Sequence, residues 1–372
     1  MSRFLTERFT ELEPYVPGEQ PQNRQYIKLN TNESPFPVSD KARAEATRAL
    51  DRLELYPDPD CKTLTRSLAG FLADKYSMDL TAENVILTNG SDEVLNFAFM
   101  AFCDGNTPAV FPDITYGFYP VFADMNGVPY REIPLDPEFR INPEEYAKAG
   151  GTLFIANPNA HTGIALSREE IEGIIRNNPD NLVVVDEAYV DFGGESCIPL
   201  IDKYDNILVI QTFSKSRSMA GARLGFGAAS RELIVDLNTI RNSTNPYNIN
   251  ALTMAAGVGV LEDEEYTREN CRKIIENRKY TEEELRRLGF ELTDSTANFI
   301  FMKHPEYDGG RLYEDLKREG ILVRHFTKER IAQYNRVTIG SRRQMEVFID
   351  TLEKLLEEAG CKGEKERTNE NS

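Results

Sequence analysis

Short apolar runs alternate along most of the chain with stretches in which apolar residues recur at helical spacing. Continuous apolar runs are typical of strands that are buried on both faces of a parallel sheet. We predict strands at residues 84–88, 108–111, 128–135, 152–156, 181–186, 207–210 and 222–228. We predict mainly helical segments at residues 40–53, 64–76, 91–102 and 241–261. This alternation indicates an α/β domain with a mostly parallel sheet.

The pattern differs at the two ends of the chain. Residues 1–28 are polar and contain three prolines, which favours an extended arm. From residue 262 a long charged helix leads into short strands and two further helices, which indicates a smaller α+β domain up to residue 360. The charged, polar residues 361–372 predict a disordered tail.

Composition narrows the functional classes. The formal charge of −18 over 372 residues argues against a nucleic-acid or anionic-membrane partner. No signal-peptide core and no run of about 18 apolar residues occurs, so we expect a cytoplasmic protein. Five scattered cysteines and three separated histidines predict neither a disulfide framework nor a metal site.

Lys215 lies just past the carboxyl end of the strand predicted at residues 207–210. Open α/β sheets bind ligands at the carboxyl ends of their strands. An amine in a dry site near other cations has a lowered pKa and forms a Schiff base with an aldehyde. Thr212, Ser214 and Arg223 are suited to a phosphate on the same ligand. A solvated loop lysine is the simpler interpretation of these residues taken alone.

Two other strand ends carry candidate binding groups. The strand at residues 84–88 runs into Gly90, Ser91 and Asp92 at a helix start, where free N–H groups and the helix dipole favour an anion. Ordinary capping of the helix explains the same residues. Asp186 ends another apolar strand, and a buried carboxylate needs a cationic partner, either a protonated ring nitrogen or a metal.

Residues 214–225 read Ser-Lys-Ser-Arg-Ser-Met-Ala-Gly-Ala-Arg-Leu-Gly. They resemble the Ser-Lys-x-x-x-x-Ala-Gly-x-Arg-x-Gly signature of fold type I pyridoxal-phosphate enzymes, the aspartate aminotransferase superfamily. The branch that looks most similar is histidinol-phosphate aminotransferase, from about residue 15 to residue 356. The resemblance implies a large cofactor domain at residues 29–261 and a small domain at residues 262–360.

The resemblance implies that pyridoxal 5'-phosphate is the cofactor and that Lys215 carries it. Asp186 would then pair with the ring nitrogen, Tyr189 with the ring hydroxyl, and the ring of Tyr116 would stack on the cofactor. The cofactor phosphate would be held by Gly90, Ser91, Asp92, Thr212, Ser214 and Arg223. Tyr56, in a Tyr-Pro pair, would reach the neighbouring cofactor phosphate in trans across a homodimer.

Substrate contacts are implied in the same way. Asn32 lies in Leu-Asn-Thr-Asn-Glu-Ser-Pro, which resembles a motif beside the substrate, and Tyr15 lies in the preceding arm. Arg336 matches the arginine that binds the substrate carboxylate. Arg324 matches the arginine that histidinol-phosphate aminotransferases use for the phosphate.

One loop departs from the family pattern. The family has Asn-Pro where this chain has Ala160 and His161. The hydrogen-bond donor to the ring hydroxyl is then lost, replaced by Asn159, or taken over by Tyr189. We expect a trans Ala160–His161 bond, because a cis bond without proline costs roughly 2.5–4 kcal/mol.

The resemblance implies transamination of L-histidinol phosphate with 2-oxoglutarate. An aromatic amino-acid aminotransferase or a threonine-phosphate decarboxylase of the same fold remains open. A non-catalytic cofactor-binding regulatory module is the alternative of another class, although no basic DNA-binding segment precedes Tyr15. A dinucleotide-dependent dehydrogenase lacks support, because no Gly-x-Gly-x-x-Gly follows a strand.

Overall fold

The computed structural model describes residues 2–361. The tail predicted at residues 361–372 therefore lies, except for Cys361, outside the described residues. The strands, numbered in chain order, are β1 (Ile27–Lys28), β2 (Val85–Thr88), β3 (Ala109–Pro112), β4 (Tyr130–Ile133), β5 (Thr152–Ala156), β6 (Val183–Asp186), β7 (Ile207–Thr212), β8 (Gly225–Ala229), β9 (Glu291–Leu292), β10 (Phe299–Lys303), β11 (Ile321–Leu322), β12 (Arg324–His325) and β13 (Asn335–Thr338).

Seven strands form one large sheet in the order β2-β8-β7-β6-β5-β3-β4. Strand β8 runs antiparallel to both of its neighbours, and the other neighbouring pairs are parallel. Strands β2, β3, β5, β6, β7 and β8 are buried at every position, as their continuous apolar runs predict. The predicted α/β architecture with a mostly parallel sheet is confirmed.

Ten α-helices accompany the strands in the described part of the chain. They are α1 (Asp40–Ala49), α2 (Lys62–Tyr76), α3 (Ser91–Phe102), α4 (Phe118–Asn126), α5 (Arg168–Arg176), α6 (Arg231–Thr244), α7 (Ala251–Leu261), α8 (Glu264–Arg287), α9 (Gly309–Arg318) and α10 (Arg342–Ala359). None of these helices, within residues 2–361, is long and apolar enough to cross a membrane.

The large sheet is covered on both faces. Helices α2, α5 and α7 pack on one face, and α3, α4 and α6 pack on the other. Helix α5 illustrates the local cause: Ser167 and Glu170 form a capping box at its start, and Ile171, Ile174 and Ile175 fall on one buried stripe. With both faces covered, the ends of the strands are where the sheet meets solvent.

The C-terminal part of the chain forms a second core. Strands β12, β13, β10 and β9 form an antiparallel sheet, and residues of α8, α9 and α10 share their apolar cluster. The N-terminal arm joins this core, because β1 pairs in parallel with β11 and Leu29 is buried in the same cluster. The division of the chain into domains at residues 28, 261 and 360 stays a prediction.

Several predicted elements differ in extent. The helix predicted at residues 40–53 ends at Ala49 and continues as a 3-10 turn, Leu50–Arg52. One of the short strands expected after residue 262 divides between two sheets as β11 and β12. Two-residue strands carry no detectable period, so their partners are decided by tertiary packing.

Candidate active site

The carboxyl ends of β2, β6 and β7 meet beside a cavity of about 850 Å³. Thirteen of the residues singled out from the sequence line it: Tyr15, Asn32, Ser91, Asp92, Tyr116, Asp186, Tyr189, Thr212, Ser214, Lys215, Arg223, Arg324 and Arg336. Three others, Gly90, Asn159 and Tyr56, are not among the lining residues. The cavity thus joins candidate cofactor residues of the large sheet to candidate substrate residues of the second core.

Lys215 lies three residues beyond the end of β7. Its Nζ donates a hydrogen bond to the carbonyl oxygen of Thr31 at 3.1 Å and lies 5.9 Å from the ring centroid of Tyr189. Burial, reinforced by the positive charge of Arg336, lowers the pKa of Lys215 to about 8. The uncharged, nucleophilic form of this amine is therefore far more populated near neutral pH than that of an ordinary lysine, although the charged form still predominates.

Asp186 closes β6, the neighbour of β7. Its carboxylate accepts hydrogen bonds from the hydroxyl of Tyr119 and the backbone N–H of Ala188, both at 3.2 Å. Burial, with a smaller contribution from the charge of Asp92, raises the pKa of Asp186 to about 7. A cation beside this carboxylate would restore its charged form.

Tyr119 is a site residue that the sequence analysis did not single out. It is fully buried, and its hydroxyl is directed at Asp186. The signal available in the sequence was its hydroxyl, since a buried tyrosine hydroxyl usually has a polar partner.

The start of α3 and the side chain of Arg223 form a polar pocket wall. Gly90 takes a positive φ of 84° at the helix N-cap, and no side chain caps the first turn. Arg223 donates to Oδ2 of Asp92 at 3.1 Å and to Oγ of Ser214 at 3.4 Å, and it crosses closely above Gly90. The positive φ favours glycine at this position, and a Cβ there would lie 2.6 Å from Nη2 of Arg223 and displace its guanidinium group.

Tyr116 is fixed relative to this wall. Its hydroxyl donates to Oδ1 of Asp92 at 2.7 Å. The ring of Tyr15 lies 6.3 Å from that of Tyr116 and stacks on Phe118 at 4.1 Å. The N-terminal arm therefore supplies part of the aromatic lining of the cavity.

Two arginines approach the cavity from the second core. Arg336 donates to the carbonyl oxygen of Asn30 at 3.3 Å, and its buried Nε has no partner within the described residues. Arg324 donates to the carbonyl oxygens of Val16 and Pro17. Both residues line the cavity, so their guanidinium groups bring positive charge to it from the second core.

Tyr189 and Asn32 are held together. Nδ2 of Asn32 donates to the hydroxyl of Tyr189 at 3.0 Å, and Oδ1 of Asn32 accepts from Thr338. This bond leaves the hydroxyl of Tyr189 free to donate its own proton to a ligand in the cavity.

The loop after β5 differs from expectation in one respect. The Ala160–His161 peptide bond is cis, so the expected trans bond is wrong. Backbone hydrogen bonds from Asn159 to Ile164 and from Gly163 to Asn159 fix the turn around it. The expectation considered only the local preference of a non-proline peptide and omitted these loop contacts.

The side chain of Asn159 is satisfied by residues of the loop that follows β3. Its Oδ1 accepts from Thr115 at 2.8 Å, and its Nδ2 donates to the carbonyl oxygen of Ile114 at 2.9 Å. Of the two residues we considered as donors to a ring hydroxyl, Tyr189 lines the cavity and Asn159 does not. A cofactor contact of Asn159 stays a prediction without support from this geometry.

Tyr56 lies on the surface, away from the cavity. Its side chain is 83% exposed and stacks on Tyr247 at 4.8 Å between ring centroids. An exposed aromatic pair of this kind is typical of residues that contact another molecule.

Comparison with known proteins agrees with this geometry. Residues 24–352 match the model of the family described as aminotransferase class I and II. The chain belongs to that family.

Individual relatives indicate a narrower group within this family. The histidinol-phosphate aminotransferase of Acinetobacter baylyi is 46% identical over 354 residues, which cover 94% of this chain and 96% of that one. A crystal structure of histidinol-phosphate aminotransferase from Sinorhizobium meliloti, in complex with pyridoxal-5'-phosphate, superposes with a TM-score of 0.84 at 21% identity. It covers 95% of this chain and 100% of that chain.

The predicted aspartate-aminotransferase-like fold is confirmed as well. A tetra mutant of aspartate aminotransferase from Thermus thermophilus superposes with a TM-score of 0.81 at 22% identity, covering 95% of this chain and 100% of that chain.

Proposed function

We propose that this protein is a pyridoxal-phosphate-dependent aminotransferase that transfers the amino group of L-histidinol phosphate to 2-oxoglutarate. The products are imidazole acetol phosphate and glutamate, as in histidine biosynthesis. The observation that carries the proposal is that one cavity is lined by the amine of Lys215, the carboxylate of Asp186 and two arginines, Arg324 and Arg336. The identity of the substrate is supported by the similarity of the chain to histidinol-phosphate aminotransferases.

The residues present fit the cofactor. Asp186 is a buried carboxylate without a cationic hydrogen-bond partner within the described residues, and a protonated ring nitrogen would supply one. The uncapped first turn of α3 with Ser91, Ser214 and Arg223 offers hydroxyl, amide and guanidinium donors to a phosphate. Lys215 supplies the amine that an aldehyde requires.

Bound pyridoxal phosphate supplies an aldehyde that accepts amino groups and a ring that withdraws electrons from the substrate α-carbon. Lys215 would hold the cofactor through its Nζ, and the same amine, once released, would act as the base that takes the proton from the substrate α-carbon. Asp186 would pair with the protonated ring nitrogen, and the ring of Tyr116 would pack against the cofactor ring.

Arg336 and Arg324 orient the two substrates. The planar guanidinium of Arg336 binds the carboxylate of the 2-oxo acid or of glutamate as a two-pronged donor. Arg324 binds the phosphate of the amino donor, and Asn32 and Tyr15 complete the pocket. Tyr189 would donate a hydrogen bond from its hydroxyl to the oxygen on the cofactor ring.

We extend the proposal to a homodimer in which Tyr56 reaches the partner's cofactor phosphate. Tyr56 is exposed, and so are three leucines shortly before it in the sequence: Leu50, Leu53 and Leu55. Tyr247, on which Tyr56 stacks, is exposed as well. Exposed large apolar groups favour an interface. A cytoplasmic location is supported by the cysteines, since all five are unpaired.

A comparison of amino donors tests the function. Purified enzyme loaded with pyridoxal phosphate is mixed with 2-oxoglutarate and, separately, L-histidinol phosphate, L-phenylalanine or L-threonine phosphate. We expect glutamate to form with the highest kcat/KM from L-histidinol phosphate. A higher value with L-phenylalanine, or release of carbon dioxide from L-threonine phosphate, would contradict the proposal.

A further inference from the structure

His161 stands in the cavity wall at the position where the family pattern has a proline. Its ring packs on Phe326 with 4.1 Å between centroids. The same Phe326 ring lies 5.7 Å from Cζ of Arg324 and 5.8 Å from Cζ of Arg336. One aromatic ring thus has the imidazole and both substrate-side guanidinium groups as neighbours.

The polar atoms around Phe326 are incompletely paired. Nδ1 of His161 and Nε of Arg336 are buried, and neither has a hydrogen-bond partner within residues 2–361. Leaving a buried polar group without a partner is unfavourable, and such groups in native structures usually serve a ligand or a water. Nδ1 of His161 is enclosed, so the ring would reach an anion in the cavity through its other nitrogen, Nε2, which is not among the buried unpaired atoms of residues 2–361.

The imidazole is in its neutral form. Burial, and then the charges of Arg336, Arg324 and Lys328, hold the pKa of His161 well below its ordinary value. Neutral imidazole retains one N–H donor and one acceptor nitrogen. It therefore adds a hydrogen-bond donor to the pocket without another positive charge.

We propose that His161 is a specificity-determining residue that donates a hydrogen bond to the phosphate group of the amino donor, beside Arg324 and Arg336. The inference rests on the proposed function and deepens it. A phosphate monoester has three terminal oxygens, whereas a carboxylate has two that a single guanidinium can occupy. A donor from His161, in addition to the two guanidinium groups, thus favours the phosphorylated substrate over glutamate. Glutamate uses the same cavity in the other half-reaction.

Steady-state kinetics of His161→Phe test this selectivity. Phenylalanine keeps a ring against Phe326 and removes both nitrogens. We expect the KM for L-histidinol phosphate to rise about tenfold, the effect of one hydrogen bond to a charged group, with kcat and the KM for glutamate unchanged. His161→Asn, which restores an N–H donor, is expected to recover part of the loss.

The matched control is His325→Phe. His325 stacks on Tyr313 at 5.7 Å and is not among the cavity-lining residues, so we expect no change in either KM. An equal rise of both KM values in His161→Phe, with none in the control, would overturn the inference, because it would indicate a general loss of cavity shape.

Histidine resonances provide a test that requires no turnover. The chain has three histidines, so the holoenzyme labelled with 15N-histidine gives few side-chain signals. The His161 signal is assigned by its loss in His161→Phe, or by elimination with His304→Gln and His325→Phe if that variant does not fold. We expect inorganic phosphate to shift the His161 signal saturably and acetate to leave it nearly unchanged.

The two proposals fail separately. An unshifted His161 signal at phosphate concentrations that inhibit turnover of L-histidinol phosphate would overturn the role of His161 and leave the function intact. Wild-type enzyme without activity towards L-histidinol phosphate would contradict the function, and the phosphate titration would still decide whether His161 binds the anion.

Discussion

The hydroxyl of Tyr119 donates a hydrogen bond to Oδ2 of Asp186 across 3.2 Å, between the first turn of α4 and the end of β6. This bond favours the charged carboxylate, while burial raises the pKa of Asp186. Tyr119 therefore acts as a positioning residue for Asp186 and touches no substrate in the proposed mechanism.

Tyr119→Phe should weaken catalysis through Asp186. Without the hydroxyl the pKa of Asp186 rises further, so its carboxylate becomes protonated at a higher pH. We expect kcat to fall about tenfold, the effect of one lost hydrogen bond of about 1.4 kcal/mol, and the acid limb of the pH profile to move upwards. Tyr204→Phe is the control, because that hydroxyl bonds to Glu172 away from the cavity. An unchanged acid limb would remove the assigned role.

Arg324→Ala should separate the two substrates. Removing a guanidinium that binds a phosphate costs the energy of charge-assisted hydrogen bonds, so kcat/KM for L-histidinol phosphate should fall on the order of 100-fold. The value for glutamate should fall far less. Arg342→Ala, which removes an exposed arginine paired with Glu346 on α10, is the control. Equal losses for both substrates would contradict the assignment of Arg324 to the phosphate.

Asp191→Asn should destabilise the fold. Asp191 binds Arg217 at 3.1 Å, Ser216 at 2.6 Å and Lys75 at 3.2 Å, and Arg217 is almost completely buried. The substitution leaves two cations without their shared carboxylate, so we expect a loss of about 3 kcal/mol in the free energy of unfolding by urea. Asp60→Asn, which breaks an exposed pair with Lys62, should give no measurable change.

The same carboxylate predicts a pH dependence. Arg217 and then Lys75 outweigh burial and lower the pKa of Asp191 in the folded protein. A carboxyl group whose pKa is lowered in the folded protein stabilises the fold at pH values above its pKa in the unfolded chain, which is about 3.9 for an aspartate. That stabilisation is lost as the pH falls towards the pKa of the folded state. The difference in the free energy of unfolding between wild type and Asp191→Asn should therefore become smaller below about pH 4. A constant difference down to pH 2 would contradict this account.

Mixed dimers test the role of Tyr56. A dimer of one Lys215→Ala chain and one Tyr56→Phe chain contains, if Tyr56 acts in trans, one site with both native residues. We expect that site to bind pyridoxal phosphate as tightly as wild type, whereas the Tyr56→Phe homodimer binds it more weakly. If the mixed dimer binds no more tightly than the Tyr56→Phe homodimer, Tyr56 acts within its own chain.

The sheet, and the strand ends at which it binds its ligand, were predictable because they depend on local sequence. The apolar runs before Asp186 and Lys215 mark strands buried on both faces, and parallel neighbours present their carboxyl ends on one side. The same argument located Gly90 and Ser91 at the start of α3. The chemical roles of these residues came from the family resemblance.

Other relationships depend on distant parts of the chain. The hydroxyl of Tyr119 indicates that the residue needs a polar partner, but the sequence does not identify that partner as Asp186, 67 residues away. The pairing of β1 with β11 joins segments almost 300 residues apart. Asn159 was expected at the cofactor from its neighbours in the sequence, but its amide is bonded to Ile114 and Thr115. Partners at such separations are decided by packing, which no local pattern records.

The visible absorption spectrum of the purified protein with pyridoxal phosphate tests the central claim most directly. We predict a band from the lysine-bound cofactor that L-histidinol phosphate bleaches at a lower concentration than L-phenylalanine or L-threonine phosphate. Lys215→Ala should lack this band, and Lys203→Ala, which changes a surface lysine beside Glu172, should retain it. The account would be contradicted if the wild-type protein lacked the band, or if the Lys215→Ala variant still showed it.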